Sequence, residues 1–167
     1  MTPEVELNKL KQLKIVRHFY TKNQYEKNNE HLINKERGRG GYHAESAVLL
    51  ENNVVRKKYK KDKEGKKLFK QEVSILKQVK GCKFAANLIN YDKRDLAIYM
   101  SYCGEPVPQT EKNLQTIARM IKILREDYGV VRHHKGKPVL TISSSNAGII
   151  GDQIYLFDLA GKSWQIK

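Results

Sequence analysis

The chain has 167 residues, 40% of them hydrophobic, and a formal net charge of +14. That is enough apolar material for one core of ordinary single-domain size. No apolar run approaches the ~20 residues a membrane-spanning helix needs, and the opening MTPEVELNK lacks the apolar stretch of a secretory signal, so a soluble, intracellular, cytoplasmic protein without membrane contact is expected. Cys82 and Cys103 make neither a CxxC nor a second pair, which argues against a disulfide framework or a zinc site.

In chain order, Leu7, Leu10, Leu13, Ile15, Val16, Phe19 and Tyr20 recur mostly at three- to four-residue spacing between basic residues, which predicts an amphipathic basic helix. A second helical stretch is predicted over 24–34, and the glycines of GRGG at 38–41 break the pattern. SAVLLENNVVRKKY then reads as a hairpin turning at Asn52-Asn53. DKEGKK reads as a charged loop, and LFKQEVSILKQV as a helix with one apolar face. FAANLINYD and LAIYMSYCG form an expected antiparallel pair, residues 113–128 a further helix, and VLTI, AGIIGD and QIYLFDL short strands. The expected organisation is a basic helical arm over 1–37 followed by an α+β domain over 38–167.

Charge is unevenly spread. Residues 1–80 hold 20 basic and 10 acidic side chains, so the first half carries most of the positive excess and favours a polyanionic partner. The densest run is Arg56, Lys57, Lys58, Lys60, Lys61, Lys63, Lys66, Lys67 and Lys70; with Lys11, Lys14 and Arg17 of the arm it supplies candidate phosphate contacts to nucleic acid. Tyr20 and Tyr25 stand among basic residues where they could stack on bases, although tyrosines on a helix face more often serve packing. The bland reading of such a run is a solvated face.

From about residue 38 to 164 the order of elements and the letters at their junctions resemble the protein-kinase family. VVRK places Lys57, or Lys58 one slip away, at the position of the strand lysine that holds nucleotide phosphates, and FKQEVSIL places Glu72 at its helix partner. LAIYMSYCGEPV is similar to the last small-lobe strand and the hinge, with the backbone of Ser101 to Cys103 facing an adenine. Asn146 and Asp158 match the spacing of the two residues that hold magnesium in kinases. The resemblance therefore implies a truncated kinase-like fold, a small-lobe antiparallel sheet plus helix with a remnant of the large lobe, and ATP and magnesium as cofactors.

The departures bear on function. Thr141 stands where the family has its catalytic aspartate and cannot accept a substrate proton as a carboxylate does. GRGGYHAESAVLL has Gly38, Gly40 and Gly41, yet Ala44 or Glu45 takes the third glycine position, and an acidic side chain there opposes phosphate. His133 and His134 read as part of an exposed basic turn. The chain stops nine residues after Asp158, short of a large lobe.

These features imply a pseudokinase, not an active enzyme, whose basic surface engages DNA or RNA with weak sequence specificity. The alternatives are an ATP- and magnesium-binding switch or residual phosphotransferase, and a dimeric scaffold that binds an acidic protein, since surfaces bared by truncation need covering. Compact kinase relatives of this kind look like products of genome reduction, as in a large DNA virus, which would place the protein in a cytoplasmic replication compartment.

Overall fold

A computed structural model describes residues 2–18, 44–49, 54–142 and 146–167, with backbone alone for 16–18, 44–49 and 162. The helical stretch expected at 24–34, the glycine cluster at 38–41, the Asn52-Asn53 turn, and Tyr20 and Tyr25 all lie outside the described residues. The described chain is α+β, with three α-helices and small, mainly antiparallel sheets. It divides into two units, one of residues Met1–Phe69 with Ile89–Met100, the other of Lys70–Leu88 with Ser101–Lys167. No helix among the described residues is long and apolar enough to cross a membrane.

The first unit opens with α1, Pro3–Lys11. Thr2 caps it by accepting the N–H of Val5, while Glu4 and Glu6 in the first turn and Lys9 and Lys11 in the last complement the helix dipole. The helix expected to run to Tyr20 ends there instead: Ile15–His18 is strand β1, paired antiparallel with β2 (Ala44–Leu49). Adjacent β-branched Ile15 and Val16 suit a strand better than another helical turn, and an available partner strand decides the outcome. β2 pairs antiparallel with β3 (Val54–Tyr59), as the hairpin pattern predicted. With β4 (Leu88–Asp92) and β5 (Ala97–Ser101) they make a five-stranded sheet in the order β1-β2-β3-β5-β4.

Leu10 anchors α1 to this sheet against Ala97 and Tyr99, flanked by Leu7, Leu13, Val54 and Ile89. Polar contacts fix its register: Lys11 Nζ lies 2.7 Å from Asp92 Oδ2, and Asn90 Nδ2 donates to the Pro3 carbonyl at 2.9 Å and to Glu6 Oε1 at 3.0 Å. Burial pushes the Asp92 carboxyl up, but the Lys11 hydrogen bond, the backbone N–H groups of Arg94 and Asp95 and the Lys11 charge outweigh it, leaving the carboxyl below its ordinary value of 3.8. A depressed carboxylate stabilises the fold fully above its unfolded value and loses that contribution as pH falls through the folded one. The denaturation midpoint of the parent is therefore expected to exceed that of Asp92→Asn near neutrality and to converge on it only as pH falls below 3.8 and through the depressed folded value. A gap that persisted at low pH would contradict the ion pair.

Helix α2 (Lys63–Gln78) starts earlier than its apolar pattern. The stretch DKEGKK, expected as loop, supplies its first turn because Asp62 Oδ1 accepts the N–H of Gly65 at 2.7 Å, the N-cap interaction. A Cβ on Gly65 would lie 1.9 Å from the Lys60 carbonyl oxygen. Alanine normally improves a helix interior by up to ~1 kcal/mol over glycine, so Gly65→Ala separates the two effects. We expect a loss of about 1–3 kcal/mol by urea denaturation, the range for overpacking, and a gain would show that the helix start can shift freely.

In the second unit, α3 (Glu111–Tyr128) is capped by Thr110 and ends at a left-handed Gly129, burying Ile117, Met120, Ile121 and Leu124. After α3 the strands expected from AGIIGD and QIYLFDL are present and pair antiparallel, but the first expected one is not. VLTI is not a strand; β7 (Val130–His134) lies between β8 (Lys137–Pro138) and β11 (Trp164–Ile166) in one sheet. The second sheet orders β10 (Gln153–Leu156), β9 (Ala147–Ile150) and β6 (Glu105–Pro106). Gln71 of α2 fastens the segment before β11: its Nε2 donates to the carbonyls of Gly161 (2.7 Å) and Trp164 (2.8 Å), and its Oε1 accepts the N–H of Gly161 at 2.8 Å.

Candidate nucleic-acid interface

Helix geometry sorts α2 into two faces. At 3.6 residues per turn, Lys63, Lys66, Lys67, Lys70 and Lys77 fall within an arc of about 100°, with Ser74 between the last two. All are exposed, whereas Phe69, Glu72, Val73, Ile75 and Leu76 are buried on the opposite side. At 1.5 Å per residue the lysine stripe is about 21 Å long. Glu64, exposed near the helix start, projects about 100° away from Lys63. Among the described residues, none of Lys63, Lys66, Lys67 and Lys70 joins an ion pair, so their charge faces solvent without an internal counterion.

The other expected phosphate contacts are dispersed. Lys58 and Lys60 are exposed; Lys61 is exposed and stands 3.4 Å from Asp95 Oδ1. Lys14 is exposed, while the Arg17 side chain lies outside the description. Lys11 is committed to Asp92, which removes it from a free basic surface. Arg56 is half-buried, with its Nε out of contact with solvent, so it too serves the interior more than a surface.

On strand β3, Lys57 and Lys58 fall on opposite faces of the sheet. Lys57 alternates with buried Val55 and Tyr59, and Tyr59 packs edge-on against Phe69 of α2 at 6.5 Å, so Lys57 is on the sheet face covered by that helix. Its ammonium sits 5.1 Å from the centre of the Tyr59 ring. Lys58 shares the opposite face with Val54, which packs in the Leu10 cluster under α1, and it stands across the ladder from Glu45.

Glu72 is 0% exposed on α2. Asn146 and Asp158, far apart in sequence, come to one end of the β9–β10 hairpin: its ladder closes at Ala147 opposite Leu156, and the Phe157 N–H donates to the Asn146 carbonyl at 3.1 Å. Asp158 is exposed with φ of 60°, a left-handed backbone that non-glycine residues seldom adopt, and such outliers gather at functional sites. Among the described residues no group of three or more His, Cys, Asp or Glu could hold a metal ion.

Of the segment expected to face an adenine, Ser101 is tied to Asn87 in both directions at 2.9 Å, and Cys103 is buried. Burial pushes the Cys103 thiol up to about 12, which leaves it unreactive at neutral pH. The expected basic turn contracts to exposed Lys135 and Gly136; His133 and His134 end β7, the former half-buried.

Arg132 is the charged residue that the periodicity missed. It is 8% exposed, its guanidinium carbon is 5.5 Å from the centre of the Trp164 ring, and its Nε donates to the Thr141 carbonyl at 3.3 Å. Burial pushes the guanidinium below its ordinary value, and the charge of Asp158 opposes that shift. The only hint in the sequence is its place directly after Val130-Val131 in a strand-like run.

Neither models of known protein families nor characterised proteins give a match to this sequence.

Proposed function

We propose that the chain is a non-catalytic, kinase-like protein that binds nucleic acid through the lysine face of α2. The observation that carries the binding reading is the segregation of Lys63, Lys66, Lys67 and Lys70 on one exposed helix face, without acidic partners among the described residues. A lysine without an internal partner releases counterions from phosphate when it binds, which is the main source of sequence-independent affinity. The kinase-like part is supported by the order of elements: the third strand carries Lys57 on its helix-covered face, and the next element is a helix with a buried glutamate, Glu72. Thr141 at the position of the catalytic base supports the absence of phosphotransfer to a protein.

Charge reversal of Lys63, Lys66, Lys67 and Lys70 to glutamate is expected to abolish binding to labelled DNA or RNA, while Asp158→Ala leaves it unchanged. Retention of binding by the reversed protein would sink the proposal. Capture of an acidic protein in place of nucleic acid would redirect it to that partner.

A second reading, a nucleotide-binding switch, is favoured by the convergence of Asn146 and Asp158 at one hairpin end. Their amide and carboxylate oxygens are the hard donors magnesium takes, together with phosphates of a bound nucleotide, and the ion there would neutralise phosphate charge. ATP with magnesium should then raise the melting temperature of the parent and not of Asp158→Ala. No shift in either protein removes this reading.

A further inference from the structure

Resting on the nucleic-acid reading above, we infer that the ligand of α2 is a duplex, held by its phosphates alone and without regard to sequence. Three observations point there. The lysines form a stripe about 21 Å long on the exposed face of a helix, whereas proteins that hold single strands combine a basic groove with aromatic platforms on which bases stack. Among the described residues no aromatic side chain is exposed: Tyr59, Phe69, Tyr99 and Trp164 are buried, and the remainder are half-buried. Among the described residues an unpaired base therefore finds no exposed ring on which to stack, while a duplex keeps its bases stacked and presents its phosphates outward.

The stripe also lacks the planar arginine, asparagine and glutamine side chains that grip base edges in the major groove; between Lys63 and Lys77 it offers only lysines, whose point charge suits phosphates, and Ser74. Gln78, just beyond, is occupied, its Nε2 donating to the Tyr128 carbonyl at 3.0 Å. A duplex carries about one charge per 1.7 Å of axis, so the 21 Å of duplex beside the row carries on the order of twelve phosphate charges, spread around both strands. Lysines about one helical turn apart can each reach a phosphate of a straight duplex.

Four lysines with no ion-pair partner among the described residues give a definite salt dependence. With about 0.9 counterions released per phosphate contact on a duplex, the logarithm of the binding constant should fall with slope near −3.6 against the logarithm of salt concentration. That is about a 150-fold loss of affinity between 50 and 200 mM salt.

The test is fluorescence anisotropy of the full chain with a labelled 20-base-pair DNA duplex, the matching RNA duplex and each component single strand, across a salt series. Parent protein should bind duplexes of unrelated sequence equally, and at least tenfold tighter than their single strands. The variant K63Q/K66Q/K67Q/K70Q should lose most of the slope. A control with the same net charge, K83Q/K93Q/K112Q/K137Q, alters exposed lysines off the stripe and should keep the slope within about one unit. Equal or tighter binding of single strands overturns the duplex inference and leaves the nucleic-acid reading standing. Equal loss in the two quadruple variants overturns the assignment to α2 in favour of the general field of the protein, and no binding to any of the probes overturns the underlying reading as well.

Discussion

Trp164→Ala is expected to lower stability by about 3–5 kcal/mol, the usual cost of deleting a large buried aromatic side chain. Trp164 is 0% exposed, pairs with Arg132 across β11 and β7, and has its carbonyl held by Gln71. Its removal opens a cavity and strips the buried Arg132 guanidinium of the ring 5.5 Å away. Trp164→Phe separates these costs. The indole Nε1 is buried and has no hydrogen-bond partner among the described residues, so phenylalanine removes a donor unsatisfied there while keeping most of the ring. That variant should lose less than about 1.5 kcal/mol. Trp164 is the only tryptophan, so unfolding must be followed by circular dichroism. A small loss in the alanine variant would mean that β11 contributes little to the unit.

Gly148→Ala is expected to cost about 3 kcal/mol, at the upper end of overpacking, although it adds one methyl group. A Cβ there would sit 2.0 Å from the Cys103 carbonyl oxygen, 2.8 Å from its carbon and 3.2 Å from the Gly104 carbonyl oxygen. These are backbone atoms, which cannot swing aside as a side chain can. A Cβ on Gly104 would meet the Ile149 carbonyl oxygen at 2.2 Å, so the two strands press together from both sides. The substitution should separate β6 from β9, where Pro106 pairs with Gly148, and loosen the Val107 N–H to Ala147 carbonyl bond of 3.2 Å. Faster hydrogen exchange at Val107 would report it. Unchanged exchange and stability would show that the close approach is easily relaxed.

The sequence was most legible where one local signal ruled. The Val-rich runs around Asn52-Asn53 gave β2 and β3, and the 113–128 stripe gave α3 to within two residues at its start. It misled where a partner distant in sequence decided. Ile15 and Val16 fit both a helical stripe and a strand, and only β2 settles the choice. Asp62 caps α2 inside a stretch whose lysines looked like loop, because capping depends on one side-chain oxygen and not on apolar periodicity. For the candidate site, the basic run was plain in the letters, but its division was not. Lys63, Lys66, Lys67 and Lys70 share a free helix face, whereas Lys11 serves Asp92. A one-dimensional charge count weighs all of these alike.

The strand order β1-β2-β3-β5-β4 bears on how the protein can be dissected. β3 finds its second neighbour in β5, after the whole of α2 and β4, with the Tyr59 N–H donating to the Leu96 carbonyl at 2.9 Å. A fragment cut after Phe69 would keep β1, β2 and β3 and leave the far side of β3 as an open ladder. Open ladders recruit strands from other copies, so such a fragment would be prone to self-association. The lysine helix is thus not a detachable module, because the strand that closes the sheet beside it comes from the chain beyond it.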